Sequence, residues 1–267
     1  VRGDESRFTD AAGFAANADL LMAAQPGTTP FYVGVYEAAM GRPEVTSFVE
    51  ESDCVLMLGA FLHDLDTAMF THNLDHRRTI FATCEQVRIR HHHYHGVLLH
   101  DFLHALGQEE LCRSCRALPP TTDPIYEPWQ PRPDTPITVR RLFQKVNAIL
   151  DDQAVVLADP GDALFGAADL TIRQKTEFIG PSFYASMGFA VPGSIGVQCA
   201  NPKLRPLVLV GDGAFQMTGM ELGTAVRLGF NPVVLVLNNR GYGTERFLLE
   251  GRFNDIPNWQ YHRVPEV

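Results

Sequence analysis

The sequence predicts an α/β protein made of two parallel-sheet units, and three observations carry that expectation. Apolar runs such as CVLMLGAF, AVVLAD, LRPLVLV and PVVLVL alternate with segments of helical period, as strand–helix–strand crossovers require. Two of the later runs deliver polar residues to their C-terminal ends, Gly211-Asp212-Gly213 after one and Asn238-Asn239 after the other. Between Leu118 and Pro136 the composition changes to LPPTTDPIYEPWQPRPDTP, too rich in proline for a helix or a central strand. That stretch reads as an extended linker between a first unit at 1–117 and a second at 137–267.

Taken in order, FTDAAGFAANADLLMAA near the N-terminus has helical character, with Thr9 or Asp10 as N-cap. Pro43 opens a short helix, PEVTSFVEES, and CVLMLGAF reads as a buried strand. TIFATC and QVRIRHHHY read as two further strands, and GVLLHDFLHAL as a helix. Beyond the linker, ITVRRLFQKVNAIL carries an apolar stripe at Val139, Leu142, Val146 and Leu150. AVVLAD is the next strand and runs into Pro160-Gly161-Asp162; FYASMGFAVPGSIGVQCA reads as a helix of small residues. The helix after Gly211 carries Met217, Met220, Ala225 and Leu228, and PVVLVL is the last strand.

Composition narrows the partners. The chain has 267 residues, 45% hydrophobic and 20% charged, with a net charge of −9, which argues against nucleic acid or an anionic membrane surface. No apolar run approaches the roughly 20 residues that span a bilayer. VRGDESRFTD offers neither an initiator Met nor a signal-peptide core, so a processed or cut chain is expected. Five cysteines, at 54, 84, 112, 115 and 199, are odd in number and sparse, which suits a reducing cytoplasm.

Three constellations carry possible chemistry. His91, His92, His93 and His95 fall on one strand, where neighbouring side chains face opposite ways and only alternate imidazoles can share a metal. His100 and His104, one helical turn apart, precede Cys112-x-x-Cys115, a zinc-like set without the glutamate of a metalloprotease motif. The third is Gly211 to Glu245, GDGAFQMTGMELGTAVRLGFNPVVLVLNNRGYGTE. Ligands of open parallel sheets bind at the carboxyl ends of strands. A carboxylate and an amide oxygen meeting there suit Mg2+ or Ca2+, and the adjoining glycines let backbone N–H groups approach a phosphate. A dinucleotide-binding turn is the rival, but Gln216 stands where that fingerprint wants Gly or Ala.

GDG, 24 intervening residues and then NN resembles the thiamine-diphosphate-binding motif. Its surroundings, VLVGDGAFQMTGMEL and VVLVLNNRGYGTERFLLEG, resemble the pyruvate/indolepyruvate/phenylpyruvate decarboxylase group. GVYEAAMGRPEV, CVLMLGAFLHDLDTAMF and VRIRHHHYH are similar to the middle domain of that group, so the histidine run is explained as a middle-domain strand. The resemblance implies a parallel-sheet α/β middle domain, partial here, and an α/β thiamine-diphosphate-binding domain truncated at its C-terminus. It implies thiamine diphosphate and Mg2+ as cofactors and a lyase that decarboxylates a 2-oxo acid.

Site residues follow by position. Asp212 and Asn239 match Mg2+ ligands, joined by the carbonyl of Gly241. Gly211, Gly213 and Ala214 match the turn that holds the diphosphate, with Tyr242 and Gly243 beside it and Gly161 and Asp162 on a second approaching loop. Ala185 matches the residue whose carbonyl meets the aminopyrimidine, and Met187 the apolar wedge that bends the cofactor. Glu245 matches the acidic group beside the reacting substrate, against the plainer reading of a carboxylate in a helix first turn.

The group's pyrimidine-holding domain, with its activating glutamate, has no match here; Asp4, Glu5 and Glu37 lie in no such motif. A chain that does not turn over alone is therefore expected. The resemblance also implies a cytoplasmic homo-oligomer, dimer or tetramer. Rival readings are a carboligase or oxidase of the same superfamily, a non-catalytic interaction fragment, and the zinc module.

Overall fold

The computed structural model describes residues 33–60, 62–64, 66–109, 129–168, 170–171, 177–181 and 184–266. The chain divides into two compact units, residues 1–122 and 123–267. The helix expected near the N-terminus, Cys112, Cys115 and the linker up to residue 128 lie outside the described residues.

In the first unit, Pro43 opens the helix Pro43–Glu50, where its fixed φ suits the first turn and its missing N–H costs nothing. Four strands follow: β1 (Val55–Leu58), β2 (Thr79–Ala82), β3 (Gln86–Ile89) and β4 (His92–His95), in that spatial order. Only β1 and β2 are parallel; β2–β3 and β3–β4 pair antiparallel. The expected all-parallel sheet of this unit is thus mixed, within an α/β architecture that stands. Connections of three residues, 83–85, and two residues, 90–91, are too short for a crossover, which needs a dozen or more. QVRIRHHHY is accordingly two strands, turned at Arg90 in left-handed backbone (φ 56°). The helix Leu99–Gln108 closes the described part of the unit.

Among the described residues the second unit holds a four-stranded, fully parallel sheet in the order β6-β5-β7-β8: β5 (Ala154–Ala158), β6 (Glu177–Ile179), β7 (Arg205–Gly211) and β8 (Val233–Leu237). Strand β5 is buried along its whole length, which is why AVVLA is continuously apolar rather than alternating. Alternate residues serve two cores. Val156, Ala158, Leu207 and Leu209 pack with Phe143 and Val146 of the helix Val139–Ile149 and with Ala163 and Ala167 of the helix Asp162–Ala168. Val155, Leu157, Val208 and Val210 pack instead with Ala190 and Val191 of the helix Ala190–Ala200 and with Ala214 and Phe215 of the helix Asp212–Thr218. Each large aliphatic side chain buried this way stabilises the fold by about 1.5–3 kcal/mol.

Three helix expectations shift. In Val139–Ile149 the buried stripe is Phe143, Val146 and, just past the end, Leu150, while Val139 is 56% exposed. Thr138 caps that helix, its Oγ1 accepting from the Arg141 N–H at 3.3 Å. The helix read from Phe183 starts only at Ala190, because left-handed residues at Ala185 (φ 49°) and Gly188 (φ 83°) keep the preceding turn from winding. After Gly211 the chain forms two short helices, Asp212–Thr218 and Leu222–Arg227, joined by a tighter turn. Of the apolar residues read on that helix, only Ala225 is buried; Met217, Met220 and Leu228 are exposed. The end of the proline-rich stretch is anchored by Trp129, whose ring lies 4.7 Å from the Arg141 guanidinium and 5.7 Å from Lys145. Among the described residues no helix is long and apolar enough to cross a membrane.

Candidate functional site

The strand order places the site. β5 leads to β6 on one side, and β7 leads to β8 on the other, so the sheet reverses direction between the adjacent ends of β5 and β7. Open α/β sheets bind ligands at such switch points.

At the end of β7, Asp212 is 1% exposed. Its Oδ1 accepts from the Gly213 N–H at 2.9 Å, while its Oδ2 is buried without a hydrogen-bond partner. Burial pushes this carboxyl above the ordinary carboxylate range, and the backbone N–H groups of Gly213, Arg240 and Gly241 oppose the shift. A buried, unsatisfied carboxylate oxygen is costly. A divalent cation is the group that would relieve it, and the oxygens around it are of the hard type that Mg2+ takes. Asn239 Oδ1 accepts from the Gly241 N–H at 3.2 Å, and the Gly241 carbonyl accepts from the Gly243 N–H at 3.1 Å. Each of these oxygens keeps a second lone pair. The residues present therefore fit an oxygen-ligated cation.

The segment after β8 is folded back onto the start of the Asp212–Thr218 helix. A Cβ on Gly213 would collide with the Tyr242 ring, and one on Gly241 would lie 2.8 Å from both Arg246 Nη2 and the Asn254 carbonyl. The Tyr242 N–H donates to that same carbonyl at 2.9 Å. Gly211 directly precedes Asp212 in extended backbone, and Ala214 packs its methyl into the core, leaving only its backbone for a ligand.

The β5 loop arrives from the other side. Gly161 has φ 90°, and its absent Cβ would stand 3.6 Å from Thr244 Oγ1. Asp162 Oδ2 accepts from Asn239 Nδ2 at 3.4 Å. Glu245 is exposed at the head of a short turn, Glu245–Phe247. An open cavity of about 610 Å³ meets the site at Asp162 and Asn239 and continues along the apolar side chains of β8.

Ala185 and Met187 sit at the other end of the Asp212–Thr218 helix. Ala185 holds its left-handed conformation with its N–H donating to the Pro181 carbonyl at 2.8 Å, and Met187 is 39% exposed. The Gly188 carbonyl accepts from Thr218 Oγ1 at 2.9 Å.

Residues 159–260 match the family described as "Thiamine pyrophosphate enzyme, C-terminal TPP binding domain". This part of the chain is similar to the C-terminal domain of thiamine pyrophosphate enzymes. The chain is 36% identical over 232 residues to the "Indole-3-pyruvate decarboxylase" of Azospirillum brasilense, covering 86% of this chain and 42% of that protein. It is 33% identical over 246 residues to the "Alpha-keto-acid decarboxylase" of Mycolicibacterium paratuberculosis, covering 90% and 43%. A protein of the same description from Mycobacterium avium is 33% identical over 243 residues, covering 89% and 43%. The chain thus spans less than half the length of these relatives.

Within this matched region the structure brings together Gly161, Asp162, Gly211, Asp212, Gly213, Asn239, Gly241, Tyr242 and Gly243. It sets Ala185 and Met187 at the far end of one helix from them, and Glu245 on the exposed side. Gln216, which spoils the dinucleotide fingerprint, donates through Nε2 to the Pro257 carbonyl at 2.7 Å and to the Tyr261 hydroxyl at 2.8 Å. His93 and His95 share one face of β4 with stacked rings 6.3 Å apart. Sequence reasoning passed over Asp159, a fully buried carboxylate at the end of β5. The signal was present: like Asp212, it closes an apolar run directly before a glycine-bearing turn.

Proposed function

We propose that this chain holds the diphosphate end of thiamine diphosphate through Mg2+, in a lyase that decarboxylates a 2-oxo acid of the pyruvate, indolepyruvate or phenylpyruvate type to the aldehyde. The observation that carries the proposal is the buried, unpartnered Oδ2 of Asp212 at the end of β7, the strand that pairs with β8, after which Asn239 and Gly241 follow. Similarity to proteins described as indole-3-pyruvate and alpha-keto-acid decarboxylases supports the substrate class.

In this reading Asp212, Asn239 and Gly241 supply three oxygens to Mg2+, which offsets the diphosphate charge. Gly211, Gly213 and Ala214 present backbone at the turn, where a side chain on Gly213 would already meet Tyr242. Gly161, Asp162, Tyr242 and Gly243 wall the same end. Ala185 and Met187 orient the remote end, Ala185 through its carbonyl and Met187 as an apolar support. Thiamine diphosphate, when bound, supplies the nucleophilic carbon and the electron sink that loss of CO2 requires. Glu245 delivers the proton to the substrate carbon left by CO2.

Titration calorimetry tests the reading: thiamine diphosphate should bind with a Mg2+-dependent heat, and Asp212→Ala should abolish that dependence. A folded wild-type chain with no Mg2+-dependent binding refutes it. Homo-oligomerisation as a dimer or tetramer and a cytoplasmic location belong to the same proposal, the first checked by sedimentation. A Pro-rich linker across residues 118–136, between units at 1–117 and 137–267, belongs to it too, and limited proteolysis there should release the two units.

A further inference from the structure

We infer that Asp159 is a positioning residue for the cofactor: its buried carboxylate fixes the turn carrying Ala185 and Met187, which addresses the end of thiamine diphosphate remote from the metal. The inference rests on the cofactor reading above and deepens it.

Asp159 is locked into the sheet, its own N–H donating to the Leu209 carbonyl of β7 at 2.9 Å. Its side chain then reaches across to a segment about 30 residues later. Oδ1 accepts from the Phe189 N–H at 2.9 Å, and Oδ2 from the Ala190 N–H at 3.3 Å. The Gly188 N–H also faces the carboxylate; all three amides oppose the upward shift that burial imposes on this group. A buried carboxylate is a costly way to end a helix that a neutral Ser or Asn could cap, so the geometry it enforces merits an account.

Gly188 is held on both flanks. Asp159 accepts from the N–H groups of the next two residues, Phe189 and Ala190, and Thr218 Oγ1 donates to the Gly188 carbonyl at 2.9 Å. Its φ of 83°, together with Thr218 Cγ2 3.0 Å from where a Cβ would stand, leaves room only for glycine. Three residues earlier, Ala185 holds φ 49°, a conformation that residues with a Cβ keep only where the surroundings over-determine it. Met187, between the two, stays 39% exposed and outside the cores. The turn is therefore rigid in backbone and open in side chain, as a ligand support needs.

Thr218 ends the seven-residue helix that Asp212 begins, and a helix of that length rises about 10 Å. The metal end and the Ala185–Met187 turn are thus spaced along one rigid element, with Asp159 clamping the second to the end of β5. Gly161 and Asp162, two and three residues after Asp159, belong to the metal end. Asp159 accordingly sets the relative position of both halves.

The experiment compares two ligands on the intact chain, each with Mg2+: thiamine diphosphate and inorganic pyrophosphate. Asp159→Asn keeps one acceptor oxygen and replaces the other with a donor that cannot accept from the Ala190 N–H. Below the unfolding midpoint of the variant, thiamine diphosphate affinity should fall about tenfold or more, the usual effect of losing an outer-shell partner, while pyrophosphate affinity stays within about twofold. Equal weakening of both ligands, or unchanged thiamine diphosphate affinity in the folded variant, overturns the inference. A wild-type chain that binds neither ligand fails at the cofactor reading itself, before any variant is made. Should the variant be recovered unfolded, amide hydrogen exchange of the wild type decides. Thiamine diphosphate should slow exchange at Gly188, Phe189 and Ala190 more than pyrophosphate does, and equal protection by the two overturns the role.

Discussion

Asn239 Nδ2 lies 3.4 Å from Asp162 Oδ2, joining the end of β8 to the loop that follows β5 across 77 residues of chain. The bond holds the Asn239 amide by its nitrogen, while its oxygen, which accepts from the Gly241 N–H, keeps a second lone pair for a ligand. Asp162→Ala should leave the fold intact and weaken Mg2+-dependent thiamine diphosphate binding by about 10- to 100-fold, the range for outer-shell partners of a metal. Calorimetry at fixed Mg2+ reads this directly, and unchanged affinity would show that Asn239 needs no such support.

Gly213 and Tyr242 are packed so closely that no Cβ fits between them. Gly213→Ala should cost about 1–3 kcal/mol of stability through overpacking and should also weaken ligand binding. In a double-mutant cycle, Tyr242→Ala should recover part of the stability, because the two changes share one contact. Additive losses in urea unfolding would refute the contact.

Burial holds the Asp159 and Asp212 carboxyls above their ordinary value of 3.8. A folded-state pKa raised above the unfolded one contributes stability that is fully present below 3.8 and lost as pH rises through the raised values. These two groups therefore make the ligand-free chain less stable as pH climbs from about 4 into the weakly acidic range. Mg2+ needs Asp212 in its charged form, so the stabilisation added by Mg2+ and thiamine diphosphate should grow over the same window. Unfolding midpoints in chelator and in saturating ligand, from about pH 4 to 7, test this. Asp212→Asn should flatten the difference, and a ligand-induced shift that shrinks with rising pH contradicts it.

The core around the helix Val139–Ile149 gives a fold-level test. Leu209 is fully buried in the core shared with Phe143, whereas Val139 on the neighbouring helix is 56% exposed. Leu209→Ala should cost about 2–5 kcal/mol, and Val139→Ala should fall within about 0.5 kcal/mol of wild type. Denaturant titration separates the two, and comparable losses would place Val139 in the core after all.

Three strands of the second sheet, β5, β7 and β8, were legible as continuous apolar runs, with Asp212 and Asn239 marking where two of them end, whereas β6 is three residues long, begins on an exposed Glu177 and went unread. The first sheet was legible in composition but not in topology. RHHHY contains no Gly, Pro or Asn, so the hairpin turned at Arg90 carries no local turn signal. Small residues from Phe183 onward read as one helix because a left-handed Ala185 has no sequence signature; propensity gives alanine to helices, and the tertiary grip on Gly188 overrides it. Met217 and Met220 have helical spacing yet stay exposed, since a periodic pattern tells which residues share a face and not what covers it. Asp159 showed its place at the end of an apolar run but not its role, since its partners are backbone amides about 30 residues away.

The strand order β6-β5-β7-β8 has one more consequence. The residues proposed to meet the cofactor come from the ends of β5, β7 and β8, and β7 must be in place before β8 can pair. A chain still missing β8 has no Asn239 or Gly241 to offer, so occupancy of the site requires that β8 has paired with β7. On the proposed reading, ligand held at about 100 times its dissociation constant adds roughly 2.7 kcal/mol and cuts the opened population about 100-fold. The vitamin-derived cofactor would then govern how long the protein survives proteases as well as what it does, a dependence that pulse proteolysis with and without thiamine diphosphate would reveal.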